Sequence, residues 1–235
     1  MADYGSESER MEALYKEIFT EAAQAIRNEI DKFKPEHNCK FCTIPCDIQK
    51  PDIFSVFPPG CPYGAWQIKA LSYLTNEYRA KLRVTKKAIM EKKKEYSCTK
   101  CGNCCKLAVS GFNPTQLKQR ALRGDKYARE FSSIYVPYES EEMAEAICPE
   151  FYNKLKDLMD EGERLYFYYC SKLGADNLCS DYENRPDICK DFPLTALKVL
   201  PDTCGYMPWH DAVERQAMSV KAREDLIAFY KDKIG

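Results

Sequence analysis

Apolar side chains recur at helical spacing near the start of the chain, at Met11, Leu14, Tyr15, Ile18, Ala22, Ala25, Ile26, Ile30 and Phe33. That pattern predicts an amphipathic helix over about residues 7–33, opened by a capping box at Ser6 and Glu9 and stopped by Pro35. The stripe reads as ordinary core ahead of a docking face for a partner. A second stripe, Ile68, Leu71, Leu74, Tyr78, Leu82 and Ile89, predicts a long helix over about 65–94. Its end is basic (Lys86, Lys87, Lys92, Lys93, Lys94), which reads as a solvated terminus matched to the helix dipole. Between the two, Pro45, Pro51, Pro58, Pro59 and Pro62 forbid a long helix.

Further along, Asn113-Pro114 has the form of an N-cap followed by proline in the first turn, predicting a helix that ends near Gly124. Another helix is expected from about Ser140 to Met159, interrupted or restarted at Cys148-Pro149, and a last one from Pro208 to about Lys233. The aromatic run Leu165 to Cys170 and the pair Leu178-Cys179 flank Gly174-Ala175-Asp176-Asn177, which suits a hairpin. The expected fold is mainly α with a small, irregular, cysteine-rich, metal-stabilised core and a short β-hairpin. Three regions follow: 1–95, helical with a cysteine-rich loop at 39–62; 96–209, the metal-binding domain; and 210–235, a C-terminal helix packing on it.

Composition narrows the function. With 45% hydrophobic residues among 235, the chain can bury a real core, and 35 basic against 36 acidic side chains give no global attraction to nucleic acid. The residues from Met1 to Glu9 are polar, and no run approaches the ~18 apolar residues needed to span a bilayer. The expectation is a cytoplasmic protein without membrane insertion, acting with a protein partner or complex. In a reducing compartment, dense cysteines are metal ligands before they are disulfides.

Of the 13 cysteines, Cys39, Cys42, Cys46 and Cys61 form one set of four. Cys98, Cys101, Cys104, Cys105, Cys170, Cys179, Cys189 and Cys204 form a set of eight, enough for one multinuclear site or two simple ones, and Cys148 is the spare. Cys98, Cys101 and Cys104 follow the C-x2-C-x2-C step of ferredoxins, which favours an iron-sulfur cluster, although the C-x2-C half-sites serve zinc equally. His37, two residues before Cys39, reads as a surface histidine.

The run Cys98-x2-Cys101-Gly102-x-Cys104-Cys105, followed by Cys170 and by Cys179-Ser180-Asp181-Tyr182-Glu183-Asn184-Arg185-Pro186-Asp187-Ile188-Cys189-Lys190, resembles the YkgJ-type CxxCxxCC cysteine-cluster family. The resemblance covers about Tyr96 to Trp209 and implies zinc or iron chelation. Asp181 stands where the family has an aliphatic residue and Lys190 where it has arginine. The same signature is similar to part of the flagellin lysine-N-methylases, which implies a metal-dependent protein-modifying enzyme as an alternative; no Gly-rich strand-to-helix turn for S-adenosylmethionine accompanies it. A third reading is a structural, metal-stabilised interaction scaffold. Tyr182, Arg185 and Pro186 are expected to hold the hairpin against the site rather than to do chemistry.

Overall fold

The structure is a computed structural model and describes residues 7–36, 51–159 and 164–234. In chain order the elements are α1 (Glu7–Asp31), α2 (Pro62–Tyr73), a π-helical turn (Leu74–Tyr78), α3 (Arg79–Lys92), a 3-10 turn (Lys93–Glu95), α4 (Asn103–Lys106), β1 (Ala108–Ser110), α5 (Pro114–Leu122), α6 (Lys126–Ile134), β2 (Tyr135–Pro137), α7 (Glu141–Ile147), α8 (Pro149–Asp157), β3 (Tyr166–Cys170), α9 (Asp187–Lys190) and α10 (Met207–Ile234). The fold is mainly helical with one small sheet. The chain divides into two compact units: residues 1–10 with 90–214, and residues 11–89 with 215–235.

In the unit formed by 11–89 and 215–235, the predicted stripe of α1 is the buried one: Ile18, Ala22 and Ile26 have no exposed surface. Four positions apart, they stack on one helix face. The Trp66 indole donates to the Ile30 carbonyl at 2.9 Å, so the ring is buried with its polar atom satisfied. The second helix starts at Pro62, whose missing N–H costs nothing in a first turn. It then passes through the π-helical turn, where Leu74 is buried. Phe54 stacks on Tyr230 of α10 at 4.9 Å, and Arg215 bridges Glu17 and Glu21 at 2.8 Å.

In the unit built around residues 90–214, β3 is the central strand of an antiparallel sheet ordered β1-β3-β2. Alternation along β3 buries Tyr168 and Cys170 on one side, and Phe167 points the other way into a second cluster. The Tyr168 hydroxyl donates to the Phe112 carbonyl at 2.8 Å, and its ring meets Phe131 edge-on at 5.0 Å. Phe167 packs with Leu107, Phe151, Tyr152 and Leu155.

The helix starts of this unit follow from their caps. Asn113 and Gln116 form a reciprocal capping box before Pro114, Asp125 accepts from the Ala128 N–H, and Ser140 accepts from the Met143 N–H. Pro149 separates α7 from α8, as the sequence predicts. The turn after β3 closes as the expected short hairpin, through the Leu173–Cys179 bridge and the Gly174 N–H to Leu178 carbonyl and Ser180 N–H to Lys172 carbonyl bonds, both 2.8 Å, while the ladder partners of β3 itself are the distant segments β1 and β2.

Candidate metal centre

A glycine with positive φ and two long-range clasps shape the cysteine run. Gly102 has φ +77, a left-handed conformation that lets the chain turn into α4, and a Cβ there would meet the Asn177 carbonyl at 3.0 Å. This close approach brings the 173–179 turn, and with it Cys179, against the run. On the other side, Asn103 Nδ2 donates to Thr203 Oγ1 at 2.9 Å and Thr99 Oγ1 donates to the Thr203 carbonyl at 3.3 Å. Gly205 lies so close to Ser97 and Thr99 that any side chain would collide with them. Cys204 is thereby held near Cys98 and Cys101, whose charges it would feel on ionising.

Two further cysteines arrive on regular elements. Cys170 is the last residue of β3, and Cys189 lies in α9. That helix is tied to α6 by the Ile188 N–H donating to Glu130 Oε2 at 3.0 Å and by Lys126 pairing with Asp187 at 2.6 Å. The Tyr135 hydroxyl stands 4.0 Å from Cys189 Sγ.

All eight cysteines of the second set, Cys98, Cys101, Cys104, Cys105, Cys170, Cys179, Cys189 and Cys204, line one chamber of about 230 Å3. Cys148 instead packs half-buried against the Leu107–Phe167 cluster. Cys61 is buried at the start of α2 in the other unit. Cys39, Cys42, Cys46 and His37 lie outside the described residues. The ten described cysteines are all free thiols.

The charges on the chamber wall have one sign. Lys100, Lys172, Arg185 and Lys190 contribute to the lining, and among the described residues no carboxylate does. Arg185 stacks on the Tyr182 ring at 3.5 Å and donates to the Tyr182 carbonyl at 2.9 Å, while Lys100 lies over the same ring at 4.5 Å. The sequence missed this cationic wall, because its members are scattered over 90 positions between Lys100 and Lys190. Lys93 departs from the solvated-end reading: it donates to the Asp191 and Pro193 carbonyls and lies over the Tyr206 ring, and burial lowers its pKa.

Hydrogen bonds reveal how the sulfurs are arranged. The Cys105 thiol bonds with both Cys104 and Cys170, and the bond with Cys104, followed by burial, pushes its pKa up. The bond with Cys105 and then burial raise that of Cys170, while burial first, and then the charges of neighbouring cysteines, raise those of Cys189 and Cys204. Backbone donors point at sulfur: the Lys100 N–H at Cys98 (3.3 Å), the Lys172 N–H at Cys170 (3.4 Å) and the Tyr206 N–H at Cys204. Arg185 favours the anionic form of Cys189. Among the described residues no three histidine, cysteine, aspartate or glutamate side chains form a finished metal shell. The donor set nonetheless fits a bound cation, because buried thiolates need both a metal and N–H donors to offset their charge, and the donors are in place.

Residues 97–205 match the model of the CxxCxxCC family, described as "Putative zinc- or iron-chelating domain". The match includes all eight chamber cysteines, supporting a metal-binding cysteine-cluster protein. No curated protein matches the chain, and no solved structure does.

Proposed function

We propose that the eight chamber cysteines hold iron-sulfur, in two neighbouring groups, and that the protein serves electron transfer with a protein partner in the reducing cytoplasm. The observation that carries this reading is the convergence of eight thiols on one chamber whose charged lining residues, among those described, are all cations. Zinc satisfies itself with four thiolates, so eight in one space exceed what a single structural ion needs. Cys104, Cys105, Cys170 and Cys189 form one group, with Cys179 beside Cys189; Cys98, Cys101 and Cys204 form the core of the other. A bound cluster would supply a one-electron redox centre. The chain's own residues hold the sulfurs, direct N–H donors at them and neutralise thiolate charge through Arg185, Lys100, Lys172 and Lys190, which are the levers that set a cluster's potential.

The test is oxygen-free purification followed by iron, sulfide and zinc analysis with electron paramagnetic resonance. Iron and sulfide in comparable amounts, with a signal on reduction, support the reading; zinc alone defeats it and leaves the scaffold. S-adenosylmethionine binding and methyl transfer to lysine would favour the methylase-like alternative, for which the structure offers no separate observation.

A further inference from the structure

Beside the thiol chamber lies a second cavity of about 210 Å3. Cys104, Tyr135 and Phe192 wall both. The rest of its surface is almost wholly apolar, with Leu107, Val109, Phe131, Phe151, Ile188 and Val199 contributing, and half-exposed Leu194 stands at its edge. A cavity of about 150 Å3 with such walls accepts benzene, so this one has room for a larger ring or a short alkyl chain.

One charged side chain interrupts the apolar lining. Lys198 is half-buried, and no ion-pair or hydrogen-bond partner meets its ammonium among the described residues. Burial lowers its pKa, and no carboxylate offsets the effect. The cavity's hydroxyls are partly committed: Tyr127 bonds Ser110, Tyr135 faces Cys189, and Thr195 Oγ1 accepts from the Leu197 N–H. An ammonium at an apolar cavity without a counter-ion is costly unless an anion joins it.

We propose that this cavity binds a small apolar monocarboxylate, its tail among Leu107, Val109, Phe131 and Phe151 and its carboxylate on Lys198, next to the thiol chamber. The inference stands on the cavity and on Lys198, so it is independent of the metal. Other cations lie across the shared wall, and the test separates the two places.

The full chain, as purified, is titrated calorimetrically with octanoate and with octan-1-ol. Octanoate should bind about tenfold or more tighter, the worth of one charge-assisted hydrogen bond in a part-buried site. Lys198→Met should bring the two ligands together, and Lys198→Arg should restore the preference. Val109→Trp, which fills the cavity, should abolish binding of both. Equal affinities in the unaltered protein, absence of octanoate binding, or a preference that survives Lys198→Met would each overturn the proposal. Loss of the preference in Lys100→Gln with none in Lys198→Met would place the anion on the thiol-chamber wall and overturn it as well. Iron and sulfide content, measured on the same preparations, reports separately on the metal reading.

Discussion

Gly205→Ala tests how tightly the cysteine run is clasped. A Cβ at this position would overlap the Ser97 carbonyl oxygen and stand 2.7 Å from Thr99 Cγ2 and 3.0 Å from the Thr99 nitrogen. Two of these three neighbours are backbone atoms, so no side-chain rotation relieves the clash. The 204–206 turn must move away from residues 97–99, stretching the Thr99–Thr203 and Asn103–Thr203 hydrogen bonds. Overpacking of this kind costs about 1–3 kcal/mol, which in a chain of this length lowers the melting temperature by about 2–12 °C. Gly111→Ala is the control, because a Cβ there meets nothing within 4 Å. Thermal unfolding of both variants, with metal content per chain, measures the difference. Gly205→Ala should also lose metal, since Cys204 moves away from Cys98 and Cys101. A Gly205→Ala protein as stable and as metal-loaded as Gly111→Ala would refute the clasp.

Cys101→Ser and Cys189→Ser should each lower metal content and melting temperature, whereas Cys148→Ser, outside the chamber lining, should leave metal content unchanged; equal metal loss in all three by elemental analysis would contradict this partition. Metal-free protein should lose stability in alkali. The Cys105, Cys170, Cys189 and Cys204 thiols have folded pKa values raised above the ordinary 9.0, so their contribution is complete below about pH 9.0 and is lost as the pH rises toward the folded values; urea melts at increasing pH measure this, and a flat profile refutes it. Tyr168→Phe should cost about 1–3 kcal/mol by leaving the Phe112 carbonyl unpaired, and Tyr168→Ala about 3–5 kcal/mol through the cavity left against Phe131, both read from urea midpoints.

Local rules made part of this molecule legible. Helical spacing located α1 and the long run from α2 through α3, while Asn113-Pro114 and Cys148-Pro149 marked helix boundaries that the structure retains. Three-residue spacing and the downstream Cys179–Lys190 segment pointed to a cysteine cluster. The neighbours of β3 were hidden, because β1 and β2 are three residues each, too short for alternation to register. Lys198 and the second cavity were equally hidden: their walls come from segments as distant as Leu107 and Val199, and only the closed fold brings those together.

The positive lining around the cysteines bears on how an ion gets in. While the thiols remain protonated, Lys100, Lys172, Arg185 and Lys190 give the chamber a repulsive field toward a free divalent ion. Added electrolyte shortens the reach of that field to about 8 Å at physiological ionic strength, so uptake should quicken with salt, the reverse of an acidic chelator. An anionic carrier complex would be drawn in by the same charges that hold a bare ion back.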